Sequence, residues 1–316
     1  MEKIFTKNLI CNIIVCGTSS EGESIIVLLK SDDKTFTIVV DSFSVDQKVV
    51  PLEVLKSKGI KKIDYLIWTH PHSDHTIGMD DVLDIDIEYI LIPPKLDSFI
   101  KKFGEYYKKT YKKIETIAAK GCNNAMTHWT KVCEVNLSSR FPICEFIINT
   151  FASCETELIA FSPDSQRLIN TYKKNSQQIN DLSVGMDLVI GDFVVSLASD
   201  VENNSIGYAL ENGRGIGFYP NIIKIPHHCS SSSNQILSLY SKNEKDSINL
   251  KSLIGITTAK KSSGLPDEKL LSDYNNSWNE IYKIDPKSSG LSIIEFQIDI
   301  GAATIEVVNN TNFVKA

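Results

Sequence analysis

At 316 residues, with 42% hydrophobic and 23% charged side chains, the chain has the balance of a soluble globular protein of one large or two medium domains, which excludes a disordered or fibrous class. A net charge of −6 excludes a surface uniformly attractive to phosphates, so nucleic-acid contact would need a local basic patch or bound metal. The seven cysteines show no C-x-x-C spacing and read as reduced thiols, which points to the cytoplasm. There is no leader-like segment, and no apolar run approaches the ~20 residues of a membrane span.

In chain order, residues 9–15, 24–29 and 35–40 are short β-branched runs separated by turn residues and predict three successive strands. Residues 50–58 have helical spacing closed by Gly59, and 63–68 form a nearly continuous apolar strand that ends in the polar run WTHPHSDHTIG. Residues 193–200 and 221–228 have the same form, an apolar run finishing in groups able to ligate metal. Three strand ends are therefore expected to converge, since ligands bind beyond the strand ends of covered sheets.

Between about 95 and 140 the pattern turns helical and reads as an insertion. At 100° per residue, Lys101, Lys102, Lys108, Lys109, Lys112 and Lys113 share one arc, and Phe103, Tyr107, Thr110, Tyr111, Ile114 and Ile117 the opposite one. Residues 95–120 hold eight lysines against Asp97, Glu105 and Glu115, so this arc is either a solvated face or a phosphate-steering patch for nucleic acid. The tail predicts a strand at 253–258, a helix at 266–275, a strand at 280–283 and a hairpin of 291–298 with 304–308. No linker composition divides the chain, and a single domain over 1–316 is expected.

The chemistry concentrates in His70, His72, Asp74 and His75. Three of the six histidines fall within six residues. Alternation across one residue lets His70 and His72 face one point, while Asp74 and His75 reach a second point nearby. Imidazole and carboxylate suit zinc, manganese or iron, and two ions about 3.5–4 Å apart can hold a bridging hydroxide at neutral pH. Gly213 to Gly217 lacks the G-K-S/T of a phosphate loop, and Ser230 to Ser233 lacks a nucleophile-elbow frame.

The H-x-H-x-D-H pattern resembles the signature of the metallo-β-lactamase superfamily. Asp41 is similar to that family's early Asp behind the metal turn, Asp200 to its metal-bridging Asp, and His227 to its late ligand. EGESIIVLL, NDLSVGM and IKIPHHCSSSS resemble segments of the DNA-uptake-associated, ComEC-like branch, whose domain is regarded as a metal-dependent nuclease.

The resemblance implies a four-layer αββα sandwich and two divalent ions, zinc or manganese. One would be held by His70, His72 and Asp200, the other by Asp74, His75, Asp200 and His227, with His228 competing for the last place. Asp74, Lys224 and His228 are the candidate catalytic groups, Lys224 for phosphoryl charge. Three departures stand out: Ser162 where a third histidine is usual, with His128 the remaining unassigned histidine, Cys229 where the paired histidines are usually followed by glycine, and SSGLPDEKLL where that branch often has a late histidine. The reaction expected is phosphodiester hydrolysis; the rivals are hydrolysis of a lactone, thioester or cyclic nucleotide, and a non-catalytic binding or sensor protein.

Overall fold

The computed structural model describes residues 2–123, 130–149, 152–166, 168–169, 179–211, 219–240 and 253–316. His128 and the 213–217 glycine segment lie outside these residues.

The strands in chain order begin with β1 (Lys3–Phe5), β2 (Ile10–Thr18), β3 (Glu23–Lys30), β4 (Thr35–Val40), β5 (Ser44–Val45) and β6 (Lys48–Val49). There follow β7 (Lys62–Ile67), β8 (Asp86–Ile92), β9 (Lys131–Glu134), β10 (Arg140–Asn149), β11 (Ala152–Ser162), β12 (Gly185–Ile190) and β13 (Phe193–Leu197). The last are β14 (Ile222–Lys224), β15 (Ile254–Thr257), β16 (Glu280–Ile284), β17 (Leu291–Asp299), β18 (Thr304–Thr311) and β19 (Phe313–Lys315). One sheet runs β18-β17-β2-β3-β4-β7-β8-β9 and the other β1-β10-β11-β12-β13-β14-β15-β16-β19.

Neighbouring residues of β2 show why these runs are apolar throughout. Ile13 and Val15 join a core that also takes Leu158, Leu188 and Val195 from the second sheet, while Ile14 and Cys16 face the helical residues Val50, Val54, Met79 and Phe99. The second sheet turns Ile223 to its own helical cover of Ile206, Leu271, Tyr274 and Trp278. Successive strand side chains point to opposite faces, so a run buried on both faces has lost its polar alternation. The layers are helix, sheet, sheet, helix, as expected, and β4, β7 and β8 pair in parallel in one sheet as β13, β14 and β15 do in the other.

The inserted region contains helices at Leu96–Ile100 and Glu105–Asn123. The arc expected to be apolar is buried at Thr110 and Ile114, and Phe103, Tyr107, Tyr111 and Ile117 pack beside them. The region then returns to the body of the fold, because β9 extends the first sheet by pairing with β8. Among the described residues no helix is long and apolar enough to cross a membrane.

Candidate metal centre

Five strand ends supply the site. Asp41 follows β4, Thr69 to His75 follow β7, Ser199 and Asp200 follow β13, His227 and His228 follow β14, and Thr258 and Lys260 follow β15. Several of these residues have left-handed backbone without being glycine: Asp41, Ser199, His227, His228 and Cys229 have φ of 56°, 45°, 47°, 52° and 62°. Such conformations cost about 1–3 kcal/mol each and persist where surrounding structure enforces them, typically at functional sites.

Two groups of ligating atoms result. Asp74, His75, Asp200 and His228 form one, and His70, His72 and Asp200 the other. Asp200 belongs to both, and its oxygens divide the work: Oδ1 lies 3.4 Å from His75 Nε2 and 3.5 Å from His228 Nε2, whereas Oδ2 lies 3.7 Å from His70 Nε2. His70 Nε2 and His72 Nδ1 stand 3.0 Å apart.

The far nitrogen of each deeply buried imidazole is engaged. His75 Nδ1 is 2.7 Å from Asp41 Oδ2. Thr69 donates its hydroxyl to the same Asp41 oxygen at 2.6 Å and so accepts from His70 Nδ1 at 3.0 Å. Thr258 donates to Glu23 Oε2 at 2.6 Å and thereby accepts from His228 Nδ1 at 2.8 Å. In all three rings Nδ1 is the donor, which leaves Nε2 free to bind a cation.

A cation fits this donor set. Both Asp200 oxygens, Asp74 Oδ1, His75 Nε2 and His228 Nε2 are buried without a hydrogen-bond partner, and buried polar atoms are normally satisfied. Burial opposes ionisation of Asp200, but the imidazoles of His228 and His75 outweigh it and hold its carboxyl well below the usual range. Asp74 is likewise lowered, burial being overcome by His75 and His228. Burial, followed by the neighbouring His75, pushes His70 well below its ordinary value, and burial and Lys260 bring His72 down to about 4. His75 alone moves up, because Asp200, Asp74 and Asp41 overcome its burial.

Residues 22–142, which contain Asp41 and the whole THPHSDH turn, match the family model of the metallo-beta-lactamase superfamily. Over this stretch the chain is similar to that superfamily. Among solved structures, the chain is similar to a diphosphatase from the PhnP family, at 14% identity over 92% of this chain and 99% of that one, with a TM-score of 0.39. It is similar also to Zn(2+)-bound PqqB from Methylobacterium extorquens, at 9% identity over 77% and 72% of the two chains, with a TM-score of 0.38. A third is metallo-beta-lactamase SMB-1 bound to 2-mercaptoethanesulfonate, at 10% identity over 83% and 92%, with a TM-score of 0.36. No curated protein sequence matches the chain.

Within this fold two placements differ from expectation. The fourth place in the Asp74 group is taken by His228, and His227 stands outside it with Nδ1 3.1 Å from Glu202 Oε1. Lys224 is buried beneath the site, its Nζ 2.6 Å from Glu23 Oε2, because β14 turns that side chain inward. Ser162, where the family usually has a third histidine, ends β11 with its hydroxyl buried and without a hydrogen-bond partner. Cys229 is also buried, and burial pushes its thiol up to about 12, so it is inert at neutral pH.

Two contributors, Lys260 and Glu202, were not read from the sequence. Lys260 places Nζ 2.8 Å from Asp74 Oδ2, and the Asp74 and Asp200 carboxylates raise its ammonium above the ordinary value against the opposing effect of burial. Glu202 and Asn180 form a polar wall around His227. One lysine of a Lys-Lys pair and an acid opening a helix carry no motif, so only the packing reveals them.

The insertion braces the metal turn. Tyr106 accepts from Gly78 N and donates to Thr76 O, each at 3.1 Å. Its lysine arc is partly spoken for: Lys109 pairs with Asp80 at 3.0 Å, Lys113 with Asp84 at 2.6 Å and Lys108 with Glu105 at 2.7 Å. A cleft of about 560 Å³ lined by Thr35, Lys62, Asp64 and Tyr89 lies at the opposite ends of β4 and β7, away from these groups.

Proposed function

We propose that the protein is a dinuclear metal-dependent phosphodiesterase, with a nucleic-acid strand as first-choice substrate. The observation that carries this reading is the Asp200 carboxylate, whose two oxygens face two separate sets of ligating atoms. One set is Asp74, His75 and His228, the other His70 and His72. Mixed imidazole and carboxylate donors suit zinc or manganese. When bound, such ions supply a nucleophile at neutral pH and polarise the phosphoryl oxygens.

The chain's own groups do the rest. Asp41, Thr69, Thr258 and Glu23 fix which imidazole nitrogens are bare. Lys260, at the rim beside Asp74, offers an ammonium to the charge that develops on the phosphoryl oxygens. Lysines of the Glu105–Asn123 helix add positive charge for steering the rest of a polyanion, although three of them already share theirs with Glu105, Asp80 and Asp84. The likeness of EGESIIVLL, NDLSVGM and IKIPHHCSSSS to the ComEC-like branch supports the same substrate class.

The test is to strip the purified protein with a chelator, reload it with zinc or manganese, and assay bis(p-nitrophenyl) phosphate, single-stranded DNA, duplex DNA and RNA beside a lactone and a thioester. Metal-restored turnover of the phosphodiesters is expected. Turnover confined to the lactone or thioester would replace the substrate class, and no metal uptake with no turnover would leave a binding protein.

A further inference from the structure

The His70/His72 group, called the first position below, is short of one donor. Asp74, His75, Asp200 and His228 make four, but His70, His72 and Asp200 make three, and β11, whose end would bring a third imidazole, finishes in Ser162. His227 remains without a place in either group. Its Nε2 lies 4.0 Å from Asp200 Oδ2, the oxygen that also faces His70 Nε2 at 3.7 Å. The neighbouring His228 faces the other oxygen, Oδ1.

We propose that His227 is the closing ligand of the first metal position, so that the tandem histidines divide between the two ions, His227 serving the His70/His72 side and His228 the Asp74/His75 side. This rests on the dinuclear reading above. The local geometry is built for it. Consecutive left-handed residues, φ 47° and 52°, carry the two rings, which approach different oxygens of one carboxylate.

The orientation of the His227 ring follows the rule that governs the other ligands. Its Nδ1 faces Glu202 Oε1 at 3.1 Å and Ser232 Oγ at 2.9 Å, while Asn180 Nδ2 donates to Nε2 at 3.2 Å. A ring nitrogen that accepts from an amide carries a lone pair; it points at Asn180 Nδ2, so Asn180 must turn aside for Nε2, 4.0 Å from Asp200 Oδ2, to ligate. Glu202 does for His227 what Asp41 does for His75, since metal-bound histidines characteristically give their other N–H to a carboxylate. Asn180 Oδ1 is buried without a partner beside it. At 16% side-chain exposure against 0% for His228, His227 makes the first position the more open one.

The test is metal stoichiometry and affinity on the full chain, with cobalt as a spectroscopic substitute. Wild type, His227→Ala, His228→Ala, His70→Ala and Glu202→Gln are reconstituted with zinc and with cobalt, and bound metal is counted by mass spectrometry and chelator competition. Wild type is expected to hold two ions. His227→Ala and His70→Ala should lose the same cobalt absorption component, His228→Ala the other one, and Glu202→Gln should weaken the His227 component by about 10-fold or more. Glu202→Gln keeps shape and volume, so it reports even where an alanine variant fails to fold.

Two ions bound by His227→Ala as tightly as by wild type would overturn the proposal, as would loss of the same component in the His227 and His228 variants. Wild type that takes up one ion, with His227→Ala unchanged, would overturn it while sparing a mononuclear site. Wild type that takes up none would remove the dinuclear reading and this proposal together.

Discussion

His75 Nδ1 and Asp41 Oδ2 lie 2.7 Å apart, both side chains buried, and the same Asp41 oxygen receives the Thr69 hydroxyl that sets His70. One carboxylate thus fixes one imidazole of each ligand group. Asp41→Asn keeps the shape but turns one oxygen into a donor. Uptake of both ions is expected to weaken by about 10- to 100-fold, read by chelator competition; an effect confined to one ion would break the link.

The pair of Lys224 and Glu23, 2.6 Å apart and both buried, makes a different prediction from a lysine that touches substrate. Lys224→Met strands a buried carboxylate and should cost about 3–5 kcal/mol of stability, measured by denaturant unfolding. Glu23→Gln combined with Lys224→Met should recover part of that loss. A Lys224→Met variant as stable as wild type would contradict this pairing and return Lys224 to the substrate.

The THPHSDH turn was legible because its spacing alone dictates which side chains share a point, and β-branched runs on either side of it fixed the strands that carry it. The order of layers followed from strands such as β2 being apolar on both faces. What the sequence concealed depends on backbone direction. His227 and His228 are chemically identical neighbours with almost the same left-handed φ, and only their partners, Glu202 for one and Thr258 for the other, distinguish them. Lys224 was misplaced because an apolar run gives no sign of which face its single lysine takes, and Lys260 escaped notice because its partner Asp74 is remote in sequence.

Lys260 should act on anionic substrates without holding metal. Lys260→Ala is expected to raise KM for a phosphodiester about 10-fold, the scale of one charge-assisted hydrogen bond, with bound metal unchanged. Lys260→Arg should restore part of the effect. Loss of an ion in Lys260→Ala would show that the ammonium serves the ligands and not the substrate.

Asp187, on β12 opposite Ser196, is buried, and desolvation raises its carboxyl to about 7 from 3.8, against the lowering effect of the Ser196 hydrogen bond. The folded state therefore keeps a proton that the unfolded chain gives up. By linkage the contribution of Asp187 is most favourable below pH 4, diminishes as pH rises from about 4 to about 7, and is a penalty above that. Asp187→Asn should be more stable than wild type at pH 8, by roughly 2–4 kcal/mol, and should lose this part of the pH dependence in denaturant unfolding. Equal stability at pH 8 would contradict the assignment.

The division of the Asp200 carboxylate between two ligand groups is tested most directly by anomalous diffraction at the zinc edge from crystals of the zinc-loaded protein. Two peaks are predicted, one on each oxygen of Asp200 and about 3.5–4 Å apart, one beside His70 and His72 and the other beside Asp74, His75 and His228. A single peak, or none between these residues, would contradict it.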